Sequence, residues 1–104
     1  MNFEKSSSNP VGGDAAFEVT LEKCYAFASK GDARFPEEYR LIYEEIARGI
    51  EFMECVENVR AVMRLRYCYG HRFTDIAGLL GVTYQWVYEL HKIGVGLLEK
   101  HLSV

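Results

Sequence analysis

With 104 residues the chain can build one domain with a modest hydrophobic core, and not two independent ones. Its 49% apolar and 13% aromatic content excludes disorder throughout, and no stretch approaches the run of about eighteen apolar residues that a membrane span requires. The formal charge of −3 argues against nucleic acid for the whole chain, yet it is unevenly spread: residues 1–59 hold six Lys/Arg against twelve Asp/Glu, and residues 60–104 hold six against three. Only the second part has the balance to face phosphate.

The chain opens on a polar lead, residues 1–14, with Ser6-Ser7-Ser8-Asn9-Pro10 and Gly12-Gly13, which reads as flexible. It lacks the apolar run of a signal peptide, so the expected setting is the cytoplasm. From Ala15 to Ser29 the apolar residues Phe17, Leu21, Cys24, Tyr25 and Ala28 recur at helical spacing, and Gly31-Asp32 supplies a stop. Pro36 with Glu37 and Glu38 makes a good second helix opening, because proline fits the first helical position and acids suit the dipole there. Tyr39, Ile42, Tyr43, Ile46, Ile50 and Met53 follow as the apolar stripe, opposite an acidic face of Glu44, Glu45, Glu51 and Glu54. A further set, Val56, Val59, Val62, Met63, Leu65 and Tyr67, carries helix towards Gly70, and periodicity alone leaves open whether a break falls near Glu57-Asn58.

The expected organisation is all-α. An acidic helical hairpin over residues 15–57, with dimerisation as one use for it, is followed by a three-helix helix-turn-helix module over residues 58–104. Cys24, Cys55 and Cys68 are too few and too scattered for a disulfide framework. Cys68 and His71 have a C-x-x-H spacing, but a structural zinc needs a second pair, so packed, reduced cysteines and no metal are expected.

The informative stretch runs from Phe73 to Leu98. Thr74 can cap a helix beginning at Asp75, whose inner face would be Ile76, Leu79 and Leu80. Ala77 is small where two helices would cross, Gly81 permits the turn, and Val82 plugs it. Thr83 can cap a second helix whose inner face is Val87, Leu90, Gly94, Leu97 and Leu98. In a helix-turn-helix this second helix lies in the major groove. Tyr84, Gln85, Tyr88, Glu89 and Lys92 then point away from the core and, with Thr83 at the helix start, are the candidate DNA-binding residues. Gln85 can read adenine, Glu89 can accept from cytosine, and the two tyrosines can meet phosphate or a thymine methyl. Lys92, Arg72 and Arg64 are the candidate phosphate contacts. For either tyrosine alone, half-exposed packing is an equal reading. Trp86 falls at the border of the two faces, where core or partner contact is expected before DNA.

Arg64-Leu65-Arg66-Tyr67, then the run from Phe73 to Thr83, then Val87-Tyr88-Glu89-Leu90-His91-Lys92, resemble region four of bacterial sigma factors. Within that superfamily the chain is most similar to small phage- and prophage-encoded regulators, whose ends commonly show a valine-tyrosine-x-leucine-histidine run. The resemblance covers residues 60–100 with good specificity and the first half only weakly. It implies recognition of an upstream promoter element, contact with RNA polymerase, and base or phosphate contacts at Tyr84, Gln85, Tyr88 and Glu89. It also implies pairing between Arg66 and Asp75. Sigma factors usually carry arginines where Tyr84, Trp86 and Tyr88 stand, and their loss lowers sequence-independent affinity. Nothing here resembles region two, so promoter melting is not implied.

A protein-interaction module of helix-turn-helix shape, docking on RNA polymerase or a phage packaging complex, fits the aromatic surface of Tyr84, Trp86 and Tyr88. An enzyme does not fit: His71, His91 and His101 have no nucleophile or carboxylate arrangement, and no glycine-rich loop resembles a phosphate cradle. No cofactor is expected. The leading expectation is a regulator that binds duplex DNA as a homodimer, since two half-sites restore affinity to a weakly charged module.

Overall fold

A computed structural model describes residues 15–30 and 37–103, with the backbone alone at residues 38 and 39. The polar lead, the Gly31-Asp32 stop, the Pro36 opening and the place of the Tyr39 ring lie outside the described residues. Those residues form an all-α chain: α1 Ala15–Lys30, α2 Glu37–Phe52, α3 Glu57–Tyr67, α4 Phe73–Leu80 and α5 Tyr84–Leu102. None of these helices is long and apolar enough to cross a membrane.

The short helix α3 is the hub. Val59, Val62, Met63 and Tyr67 are all buried, and α1, α2, α4 and α5 all pack against α3. Burying each aliphatic side chain of this set contributes about 1.5–3 kcal/mol. From α1 come Leu21 and Cys24, and from α2 come Ile46 and Ile50, with Met53 just beyond its end. Ile42, nominally part of the same stripe, is 38% exposed, and Tyr43 is half-buried. The rings of Phe27 on α1 and Tyr43 on α2 meet edge to face at 4.9 Å.

The break that periodicity left open falls at residues 53–56. Arg60 explains why it holds. Its guanidinium donates to the carbonyls of Ile50 and Glu51, both at 2.6 Å, and of Met53 at 3.2 Å, gathering acceptors that the end of α2 leaves orphaned. Val56, counted with the apolar set, occupies the N-cap position of α3 and is 67% exposed.

The connection between α4 and α5 is three residues long. Gly81 adopts φ 70°, ψ 34°, and the amides of Gly81 and Val82 both donate to the Ala77 carbonyl. Thr83 then caps α5 as expected, its Oγ1 accepting from the Trp86 amide at 3.0 Å. The start of α4 corrects the sequence reading. The helix begins at Phe73 with Arg72 in the N-cap position, so Thr74 lies inside the first turn and does not cap. Leu79, expected on the inner face, is 61% exposed, because α4 buries only Ile76 and Ala77 and half-buries Leu80. On α5, Val87, Leu90, Gly94, Val95 and Leu98 are buried and Leu97 is half-buried.

Candidate nucleic-acid interface

A helix turns 100° per residue, so the burial of Val87 and Leu90 fixes what each other side chain of α5 presents. Gln85, Glu89 and Lys92 lie on the outer face and all three are exposed. Tyr84 and Tyr88 occupy one flank, where both rings meet Phe73 edge to face at 6.4 Å and 6.1 Å. They are nonetheless 51% and 48% exposed. Each therefore packs against Phe73 and leaves about half of its surface to whatever meets the helix. Trp86 and Ile93, one heptad apart, form the opposite flank and are 47% and 49% exposed.

The three candidate phosphate contacts are each engaged in an ion pair. Lys92 Nζ lies 3.8 Å from Glu89 on the same helix. Arg72, in the N-cap position of α4, pairs with Asp75 at 3.1 Å. Arg64 is held in a forked arrangement, Nε to Glu51 Oε2 at 2.7 Å and Nη2 to Oε1 at 3.0 Å, which ties α3 to α2. These hydrogen bonds hold the Glu51 and Asp75 carboxyls below the usual carboxylate range. The Lys92 and Arg72 pairs lie in solvent and contribute little, so a phosphate displaces them readily, whereas Arg64 is held at two points.

Pairing of Arg66 with Asp75, implied by the resemblance, does not occur. Asp75 is taken by Arg72 three residues before it. The Arg66 guanidinium instead lies between two rings, 3.6 Å from the centroid of Tyr25 and 3.9 Å from that of Phe73, and donates through Nη1 to the His71 carbonyl at 3.3 Å. Nε of Arg66 is buried with no hydrogen-bond partner.

Beside it, the Tyr67 hydroxyl lies 2.6 Å from His91 Nε2, a bond whose direction depends on the imidazole tautomer. The His91 ring packs on Phe73 at 4.8 Å. Burial, reinforced by the Arg66 charge, pushes the His91 pKa down to about 4, so the imidazole is neutral at pH 7. Burial likewise pushes the Tyr67 phenol well above its ordinary range. Sequence reasoning missed this cluster of Tyr25, Arg66, Tyr67, Phe73 and His91. Tyr67 and His91 are 24 positions apart and no motif links them.

The three cysteines are free thiols. Burial, with Cys68 nearby, raises the Cys24 thiol to about 11, so it is inert as a nucleophile. Among the described residues no three His, Cys, Asp or Glu side chains gather as metal ligands. Comparison of the chain with family models, with curated proteins and with solved structures finds no match.

Proposed function

We propose that this protein is a transcription regulator of phage or prophage type that binds duplex DNA in a sequence-specific manner, with the first turns of α5 in the major groove. One observation carries the reading. Tyr84, Gln85, Tyr88, Glu89 and Lys92 are all exposed on a Thr83-capped helix, anchored through Val87 and Leu90 to α4 across a three-residue turn. This is the side-chain placement that base readout from a helix-turn-helix needs.

In the mechanism the partial positive charge of the capped α5 N-terminus and the Arg72 side chain meet the phosphate backbone. Gln85 pairs with an adenine edge through its amide, and Glu89 accepts from a cytosine amino group once Lys92 turns from it to a phosphate. Tyr84 and Tyr88, braced on Phe73, set the depth of the helix by hydrogen bonds to phosphate oxygens or contact with thymine methyls. The few positive charges make a second half-site, and hence a homodimer, part of the proposal. Contact with RNA polymerase is the further element that the resemblance to region four brings.

A protein-docking function is the second reading, favoured by the exposure of Leu79, Trp86 and Ile93. Apolar and aromatic surface of this kind fits a protein partner better than phosphate. Retention of fragmented genomic duplex DNA at two salt concentrations separates the two. Under the DNA reading a discrete set of fragments is enriched and its binding weakens steeply with salt. Retention of nothing at low salt would remove the DNA reading and leave protein docking.

A further inference from the structure

One stripe of α2 takes no part in the core. Leu41, Glu45, Arg48 and Phe52 follow one another at intervals of four, three and four, which places them within about 60° of one another around the helix. All four are exposed, and Phe52, at 72%, is the most exposed large apolar side chain among the described residues. The two charges in the middle of the stripe are unanswered. Among the described residues Arg40, Arg60, Arg64, Arg72 and Lys92 each pair with a carboxylate of their own chain, whereas Glu45 and Arg48 have no such partner.

Read backwards, this stripe is its own complement. Let a second α2 lie antiparallel to the first, about a twofold axis passing between Ile46 and Ala47. Leu41 then faces the partner's Phe52, Glu45 faces the partner's Arg48, and the twofold repeats both contacts. Apolar meets apolar and acid meets base throughout. A parallel pairing in register would instead set Glu45 against Glu45 and Arg48 against Arg48, so the charges select the direction of the pair as well as its register.

The surface beside the stripe has room for the ring that arrives there. An open groove of about 380 Å³ runs from Leu41 along Ile42 and Ile46 to Phe17 and Leu102. The partner's Phe52, opposite Leu41, enters apolar surroundings that this side chain lacks in the single chain. The reading face of α5 stays clear. A Cβ on Gly49 would lie 2.8 Å from Leu98 Cδ1 and 3.2 Å from Leu102 Cδ2, so α2 meets α5 near its C-terminal end. Lys92 and Tyr84 lie about 15 Å and 27 Å back along that helix from Leu102.

We propose that this chain forms a symmetric homodimer through an antiparallel α2–α2 seam, with Leu41 on the partner's Phe52 and Glu45 on the partner's Arg48. The seam gives the homodimer of the DNA reading its contact surface. Its use on two half-sites rests on that reading, while its existence does not.

The test is sedimentation equilibrium of the full chain without DNA, from micromolar to submillimolar concentration. The expected result is a reversible monomer–dimer equilibrium within that range, since a seam of one helix is small. Glu45→Arg alone and Arg48→Glu alone each oppose like charges twice across the twofold and should raise the Kd by more than about tenfold. The two single variants, mixed, should pair with each other. Glu45→Arg and Arg48→Glu in one chain should return the Kd to within about threefold of the parent. Both positions are exposed, and circular dichroism checks that each variant keeps its helix content. A parent chain that stays monomeric at submillimolar concentration would overturn the proposal. So would a dimer indifferent to either single reversal, or a folded double variant that fails to recover. A dimer that follows this pattern in a protein retaining no DNA would uphold the seam and remove the DNA reading.

Discussion

Two glycines of this chain have nearly the same backbone and opposite surroundings, and substituting each by alanine isolates how firmly α1 is seated. Gly70 has φ 73° and Gly81 has φ 70°. A Cβ at Gly81 would meet nothing within 4 Å. Gly81→Ala therefore carries only the left-handed penalty of about 1–2 kcal/mol, offset by about 0.4–1 kcal/mol from a less flexible unfolded chain. A Cβ at Gly70 would lie 2.5 Å from both Cα and N of Ser29 and 2.7 Å from the carbonyl carbon of Ala28. Those atoms are the backbone of α1, which cannot rotate aside as a side chain can. The helix must back away, loosening Leu21 and Cys24 from the core, at a further cost of about 1–3 kcal/mol. With about 4–8 °C in Tm per kcal/mol at this size, Gly81→Ala should lower Tm by roughly 4–8 °C and Gly70→Ala by roughly 10–25 °C. Thermal unfolding followed by circular dichroism measures both. Equal losses would mean that α1 does not rest on Gly70.

Further outcomes follow from the same contacts. Arg66→Ala removes the guanidinium between Tyr25 and Phe73 and should cost about 2–3 kcal/mol, whereas Asp75→Asn, which loses only an exposed pair, should leave the denaturation midpoint nearly unchanged; a reversed order would restore the Arg66–Asp75 pairing. His91 has its pKa pushed down to about 4, so between that value and the ordinary 6.5 the unfolded chain binds the extra proton. Stability should thus be full above pH 6.5 and fall by at most about 3 kcal/mol as pH drops towards 4, and a flat profile across that window in urea titrations would show that His91 is not held neutral. Lys92→Met should weaken binding to all duplex sequences alike and reduce the salt slope by about one, while Gln85→Ala should relax preference at a single base pair; a Gln85→Ala protein with unchanged sequence preference would remove Gln85 from the readout.

Local chemistry made most of the fold legible. The 3.6-residue recurrence of Leu21 and Cys24, and of Ile46 and Ile50, named residues that the structure buries. Gly81 and Thr83 fixed the turn before α5, because positive φ and an amide-accepting hydroxyl are demands that few residue types meet. What sequence could not supply depends on distant partners. The break before α3 is held by Arg60 reaching back to α2, a contact invisible to periodicity. Leu79 reads as inner face by spacing, yet α4 is only eight residues long and has a narrow buried edge. The outer residues of α5 were readable from burial period alone, but the bracing of Tyr84 and Tyr88 by Phe73, and the Arg66 sandwich, required three helices to converge.

The most direct test of the DNA-binding account is an NMR titration of the labelled protein with a random-sequence duplex at low salt, where backbone contacts alone suffice for binding. The account predicts shifts concentrated at Arg72 and from Thr83 to Lys92, with the acidic face of α2 at Glu44, Glu45 and Glu51 unmoved. Shifts confined to the Leu79, Trp86 and Ile93 surface, or none at all, would contradict it.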